Sequence, residues 1–296
     1  MPQSMHRSVH SSRRKERLKN CMPRFSRMQA HGYDEPMKKK HLWVDFTSAE
    51  LAQLSGPTTV AVLPLGAVEQ HGPHLPLGVD VFLVEAFVAQ ALELSQPSDA
   101  WVVLPSLQVG HSVEHLDFPG TLSMSPQWAM AQSMSLAKSV AAVGISKLLL
   151  FNAHGGNAGL MDVVGRDIRK ETGLHVFHTN WYDLAEADVM HALFGAHELR
   201  FGIHAGDAET SLMLAIRPDL VNTDALAHHP SASELKAQHF PILGNGRSVK
   251  QSWMAGDYSA SGAMGNASLA TAEKGRQVLG HVGHRLIELV REISRF

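Results

Sequence analysis

Residues 58–80 read TTVAVLPLGAVEQHGPHLPLGVD. The first eleven residues are apolar almost throughout, which suits a strand buried on both faces. The next twelve, 69–80, hold two acids, two histidines, two prolines and two glycines. A buried strand that empties into a stiff polar loop fits an open α/β sheet, where sites lie beyond the carboxyl ends of the strands.

The flanking sequence agrees. VDVFLVEAFVAQALEL reads as a helix opening at Asp80, and AWVVLPSLQVG as a second buried strand. SPQWAMAQSMSLAKSVAAVG is a helix with Pro126 in its first turn and Gly144 at its end. KLLLFNAHGGN is a strand running into a glycine turn, AGLMDVVGRDIRKETG a helix and LHVFHTNW a fourth strand. DAETSLMLAI is helical, and a long helix closes the chain. The expected fold is therefore α/β: a three-layer sandwich with a mostly parallel central sheet flanked by helices. EQHGPHLPLGVD and FNAHGGN follow different strands and should meet in space. The stretch 226–268 is less regular and reads as a lid or an interface arm.

Composition narrows the chemistry. The 296 residues are 44% hydrophobic and 18% charged, as in ordinary soluble globular chains. No apolar run approaches the roughly 18 residues that span a bilayer, and a cytoplasmic setting is expected. The lone Cys21 excludes an intrachain disulfide and a thiolate cage, so a metal would be held by nitrogen and oxygen. Nineteen histidines make that search worthwhile. Residues 1–41 carry eleven Lys/Arg against three Asp/Glu, and the remainder fifteen against twenty-five. The acidic body argues against nucleic-acid binding by the folded part. Residues 1–41 read as a basic, disordered extension, with a targeting segment or a phosphate-contacting arm as alternatives. Residues 42–296 read as one catalytic domain.

Glu69 and His71 are two apart and point the same way in extended backbone. With Asp80 they form an oxygen–nitrogen donor set suited to Zn²⁺, Mn²⁺ or Fe²⁺. Two such ions about 3.5–4 Å apart can share a hydroxide and polarise a carbonyl. Each residue alone has a plainer role: Asp80 as a helix cap, Glu69 and His71 as solvated loop residues. His154 lies in the glycine turn, where Asn157 could cap the following helix. GIHAGDAETS offers His204 and Glu209, the latter also a charge favoured by the helix dipole. GHSVEHLDFPGT offers His111, Glu114 and His115. Trp181 and Tyr182, just past a strand end, are candidates for a pocket wall, as is His111. No GxSxG elbow, HExxH or P-loop occurs.

Four blocks resemble the creatininase (creatinine amidohydrolase) family: LPLGAVEQHGPHLPLGVD, FPGT at 118–121, LLLFNAHGGN and HAGDAETSLMLAIRPDLV. The resemblance runs from about residue 43 to 290. It implies an α/β sandwich, two divalent metal ions per chain and a hexamer or other homo-oligomer. It also implies Glu69, Asp80 and His154 as ligands of one metal, and His71 with a bridging Asp80 as ligands of the other. Creatininase places a tyrosine and a second-metal glutamate where this chain has Gly155 and Gly156. The HGGN form is closer to relatives that do not use creatinine. Among these are a formamide-cleaving deformylase of pyrimidine intermediates, a peptide-trimming enzyme of mycofactocin maturation and a cyclic-ketone hydrolase of inositol catabolism. Glu209 is expected to complete the second metal instead.

The expected function is metal-dependent hydrolysis of a C–N bond in a small cyclic or linear amide by a metal-bridging hydroxide. His204 would shuttle a proton to the leaving nitrogen and Glu114 would orient water or substrate. The alternatives are a two-metal hydrolase that opens a cyclic ketone or lactone, and a non-catalytic metal-binding oligomer. A small-molecule substrate is expected, with no membrane partner.

Overall fold

The computed structural model describes residues 40–296. The extension read for residues 1–41 lies outside the described residues, apart from its last two. Residues Lys39–Phe296 group as one unit. Four strands, β1 (Gly56–Leu65), β2 (Trp101–Val103), β3 (Ile145–Asn152) and β4 (His175–Asn180), form a sheet in the order β2-β1-β3-β4. All three pairings are parallel, so the expected central sheet is present and wholly parallel. The second strand is shorter than AWVVLPSLQVG suggests; its continuation is an isolated bridge between Leu65 and Leu107.

The helices are α1 (Ser48–Gln53), α2 (Val79–Glu93), α3 (Pro126–Ala142), α4 (Ala158–Thr172), α5 (Trp181–Leu184), α6 (Ala187–Phe201), α7 (Asp207–Ile216), α8 (Ala232–His239), α9 (Ala255–Tyr258) and α10 (Ala272–Arg295). Their ends follow local rules. Thr47 and Glu50 form a reciprocal capping box, Ser125 caps α3 ahead of Pro126, and Thr271 caps α10. A Gly173 with φ of 78° terminates α4.

Beyond Thr58 and Thr59, β1 is apolar, and its side chains sort by parity. Val60 and Val62 join a core with Leu83, Phe87, Val282, Leu286 and Ile287, from α2 and α10. Ala61, Leu63 and Leu65 join a second core with Ala137, Val140, Met161, Val164 and Ile168, from α3 and α4. The sheet is thus covered on both faces, giving the three layers. Within 226–268, β5 (His228–His229) pairs antiparallel with β6 (Gly265–Asn266). An antiparallel bridge between His204 and Met264 ties this arm to the carboxyl-end loops. Among the described residues, no helix is long and apolar enough to cross a membrane.

Candidate metal centre

The loop after β1 leads directly into α2. Its turn is set by Gly72 at φ 68°, where a β-carbon would press on Ala263. Glu69 N–H donates to Leu77 O (2.9 Å), closing the loop and directing Glu69 inward. Asp80 lies in the first turn of α2, whose N-cap is Gly78 with no side-chain cap bond. Asp80 is therefore not a capping residue, and its carboxylate is 2% exposed. Because β3 is the neighbour of β1, the turn after β3 delivers His154 beside this loop.

The side chains converge. His154 Nδ1 lies 3.2 Å from Glu69 Oε2 and 3.4 Å from Asp80 Oδ2. His71 Nε2 lies 3.6 Å from Asp80 Oδ1 and 3.9 Å from Glu209 Oε2. His204 Nδ1 lies 3.8 Å from Glu69 Oε1. Three donor sets follow: Glu69–Asp80–His154, His71–Asp80–Glu209 and Glu69–His71–His204, each with ligand atoms within 4.8 Å of one another.

Backbone carbonyls fix which nitrogen faces the centre. His71 Nδ1–H donates to Glu69 O (3.1 Å), His154 Nε2–H to His111 O (2.9 Å) and His204 Nε2–H to Gln70 O (2.7 Å). A carbonyl can only accept, so each opposite nitrogen faces the centre and can turn a lone pair to a cation that displaces its proton, as metal-ligating histidines do. Glu69 Oε2, His71 Nε2 and Asp80 Oδ2 are buried without a hydrogen-bond partner. Such orphans are costly unless something occupies the space between them. The donor set therefore fits divalent cations.

The electrostatics point the same way. Burial opposes protonation of His71, but Asp80, Glu209 and Glu69 outweigh it and raise its pKa to about 9. His154 is likewise held well above the usual range by Glu69 and Asp80 against the cost of burial. Burial, reinforced by Asp80 and Glu69, raises Glu209 to about 7. The carboxylate cluster demands positive charge, which a cation supplies better than protons do. Burial, with His71 and His115 nearby, pushes His204 well below its ordinary value, leaving a neutral ring.

A cavity of about 390 Å³ opens over these atoms. Trp181 and Tyr182 line it, as do Glu114, His204 and Glu209. Burial raises the Glu114 carboxyl. Glu114 Oε1 and the His111 carbonyl occupy the space into which a β-carbon on Gly156 would project. His111 is not among the lining residues. Its ring faces Met124 O (2.9 Å), and its carbonyl holds His154. Asn157 makes no cap bond; it accepts from His111 N–H (3.1 Å) and donates to Gly66 O (3.2 Å), stitching the strand-end loops together.

Two contributors, Gln70 and Trp253, escape the sequence reading, and both act on groups that it names. Gln70 donates to His115 Nδ1 (2.8 Å) and Gly262 O (3.1 Å). That leaves His115 Nε2–H directed at Glu69 Oε1, 3.5 Å away. Trp253 lines the cavity from the irregular arm. His115 stands beside Glu114 in GHSVEHLDFPGT and is brought to the centre as that cluster suggests; no local pattern marks Gln70 or Trp253.

Comparison with known proteins agrees with the geometry. The family model described as "Creatininase: Creatinine amidohydrolase" matches residues 44–290. The chain is 30% identical over 237 residues to the mycofactocin precursor peptide peptidase of Mycobacterium ulcerans (strain Agy99), covering 78% of this chain and 84% of that protein. It is 29% identical over 255 residues to creatinine amidohydrolase of Pseudomonas putida, covering 81% and 92%. A solved structure described as "Creatininase Mn" superposes with a TM-score of 0.69 at 28% identity, over 86% of this chain and 98% of that one.

Proposed function

Since the chain belongs to the creatininase family of amidohydrolases, we propose that it uses two divalent cations to hydrolyse a C–N bond of a small cyclic or linear amide. The observation that carries this reading is the convergence of buried, unpartnered Glu69 Oε2, His71 Nε2 and Asp80 Oδ2. Glu69, Asp80 and His154 would hold one ion, and His71, Asp80 and Glu209 would hold the other. Glu209 supplies the carboxylate that creatininase carries at the position of Gly156; Ala205 N–H, 2.6 Å from Glu209 Oε2, keeps it in place.

Zn²⁺, Mn²⁺ or Fe²⁺ bound there would polarise the scissile carbonyl and lower the pKa of water. The chain handles the proton. His204, neutral and tethered through Nε2–H, accepts it at Nδ1 and returns it to the departing nitrogen. Glu114, whose carboxyl burial pushes above its ordinary value, orients water or substrate. Trp181 and Tyr182 exclude bulk water from the reacting end. We place the enzyme in the cytoplasm, where a lone cysteine suits a reducing compartment. We also infer a homo-oligomer, hexameric by family resemblance, because Leu116, Leu122 and Trp128 stand 52%, 53% and 72% exposed.

The test pairs metal analysis with a screen of lactams, formamides and inososes on the reloaded protein. His71→Ala is expected to abolish turnover and to leave roughly one ion per chain. Full activity with two ions in that variant would refute the assignment. Exclusive turnover of inososes would move the reaction to ketone ring opening, and no turnover with any metal would leave a metal-binding protein only.

A further inference from the structure

We propose that the substrate carries a neutral aromatic ring beside the scissile amide, seated against a wall whose selective element is Trp253. This rests on the two-cation reading above and adds the substrate class to it.

The cavity is lined by two kinds of side chain. Beside the carboxylates and histidines of the centre stand Trp181, Tyr182, Met190, Leu199, Ile203 and Trp253. A volume of about 390 Å³ leaves space for a ring-sized group beyond the reacting amide. The aromatic wall is held in place before any ligand arrives. Trp181 is 5% exposed and stacks on Phe87 with centroids 5.5 Å apart. Trp253 meets His115 edge-on at 6.2 Å and leans on Tyr258 at 5.4 Å. A wall fixed in advance loses little side-chain entropy on binding.

Charge selects for neutrality. No lysine or arginine lines the cavity. Lys236, behind Trp253, is engaged by Gln251 Oε1 (3.0 Å) and the Tyr258 hydroxyl, and lies over the Tyr258 ring at 4.7 Å. Arg200 donates to Gly244 O (3.0 Å) and stacks on Phe201. An anionic tail would be buried without a counter-charge. A cationic tail fares little better. The four lining carboxylates, Glu69, Asp80, Glu114 and Glu209, carry at most four negative charges, which two divalent cations cancel.

Trp253 lies in the 226–268 arm, which is tied to the site through the His204–Met264 bridge and the contact of Gln70 with Gly262 O. The arm therefore tunes what enters without supplying a metal ligand.

The test uses hydroxamates as probes of the loaded site, read by calorimetry on full-length protein carrying two equivalents of Mn²⁺. Acetohydroxamate reports on the metal pair alone. Benzohydroxamate adds the ring, and its 4-carboxy, 4-phosphono and 4-trimethylammonium derivatives add charge. Benzohydroxamate is expected to bind about tenfold tighter than acetohydroxamate, and each charged tail to lose at least about tenfold. Trp253→Ala removes the ring's advantage and leaves acetohydroxamate within about twofold, since a wall residue acts only on the tail. Trp253→Leu serves if the alanine variant is unstable, and retains part of the preference. Equal affinity for the two uncharged probes, tighter binding of a charged tail, or an unchanged preference in both variants overturns the inference while the metal reading stands. Failure of every hydroxamate to bind the loaded protein overturns both.

Discussion

The position of Glu209 depends on His74, which makes no hydrogen bond to a proposed ligand. Ala205, whose N–H holds Glu209, has φ of 54°, a left-handed conformation costly for a residue with a β-carbon. His74 is 1% exposed, and its Nε2 lies 3.0 Å from both Ala205 O and Thr210 Oγ1. Its N–H therefore pins the strained peptide. Burial, with His229 stacked at 5.6 Å, pushes the His74 pKa down to about 4. An imidazole in the unfolded chain titrates near 6.5, so between pH 6.5 and 4 the unfolded state binds a proton that the folded state refuses. Stability from this residue is complete above pH 6.5 and drains as pH falls toward 4. His74→Gln, which keeps a donor but cannot titrate, is expected to unfold more easily at pH 7.5 yet lose less on going to pH 5. Urea midpoints at both pH values check this; identical losses in the two proteins would contradict it. The sequence shows His74 only as one more histidine in a loop, because the strain it relieves belongs to a segment 131 residues away.

At the scale of elements, the carboxyl-end loops were legible and the arm was not. EQHGPHLPLGVD and FNAHGGN could be paired in advance because parallel strands align their carboxyl ends and β1 neighbours β3. By contrast α6 has no counterpart in the sequence reading. Its path breaks at Gly195, with φ 74° and ψ 161°, so no single helical period runs through it. Trp253 was equally hidden, since long-range packing alone aims an irregular segment at a cavity. Two glycines separate local from global effects. Gly156→Ala would drive a β-carbon into the His111 carbonyl, His154 Nε2 and Glu114 Oε1. It is expected to cost about 1–3 kcal/mol through overpacking and to lower the affinity of the His154 metal site. Gly275→Ala presses α10 onto the Ser211 carbonyl of α7 and should cost a similar amount, with metal content unchanged. Metal analysis beside urea unfolding distinguishes them. Equal metal loss in both would mean that the centre responds to global strain.

Over the whole molecule, no helix among the described residues is long and apolar enough to cross a membrane, and the alternation of strands and helices in the sequence anticipates the layered sheet. The substrate stays out of reach of such reasoning, because it depends on which side chains meet across segments. The family match begins at residue 44, and the described chain is already anchored by His41 Nδ1 near Trp101 O (3.1 Å) and Leu42 beside Val103. Deleting residues 1–38 is therefore expected to leave the melting temperature and metal content unchanged, which scanning calorimetry and elemental analysis would verify. Removing metal should act oppositely. Two ions, each present at a hundred times its Kd, together stabilise by about 5.4 kcal/mol, so full chelation should lower the melting temperature by roughly 10–20 °C. No shift on complete removal would show that the donor atoms are stable empty.

The depth of those donors has a further consequence. The His71, Asp80 and Glu69 side chains are 0%, 3% and 2% exposed, and they reach the centre from one loop and the helix that follows it. An ion held there would have to leave through the substrate cavity after breaking several buried bonds together, so its exchange with the medium is expected to be slow. The element found in purified protein then records supply at the moment of folding, and preparations grown on different media should keep different metals long after they share a buffer.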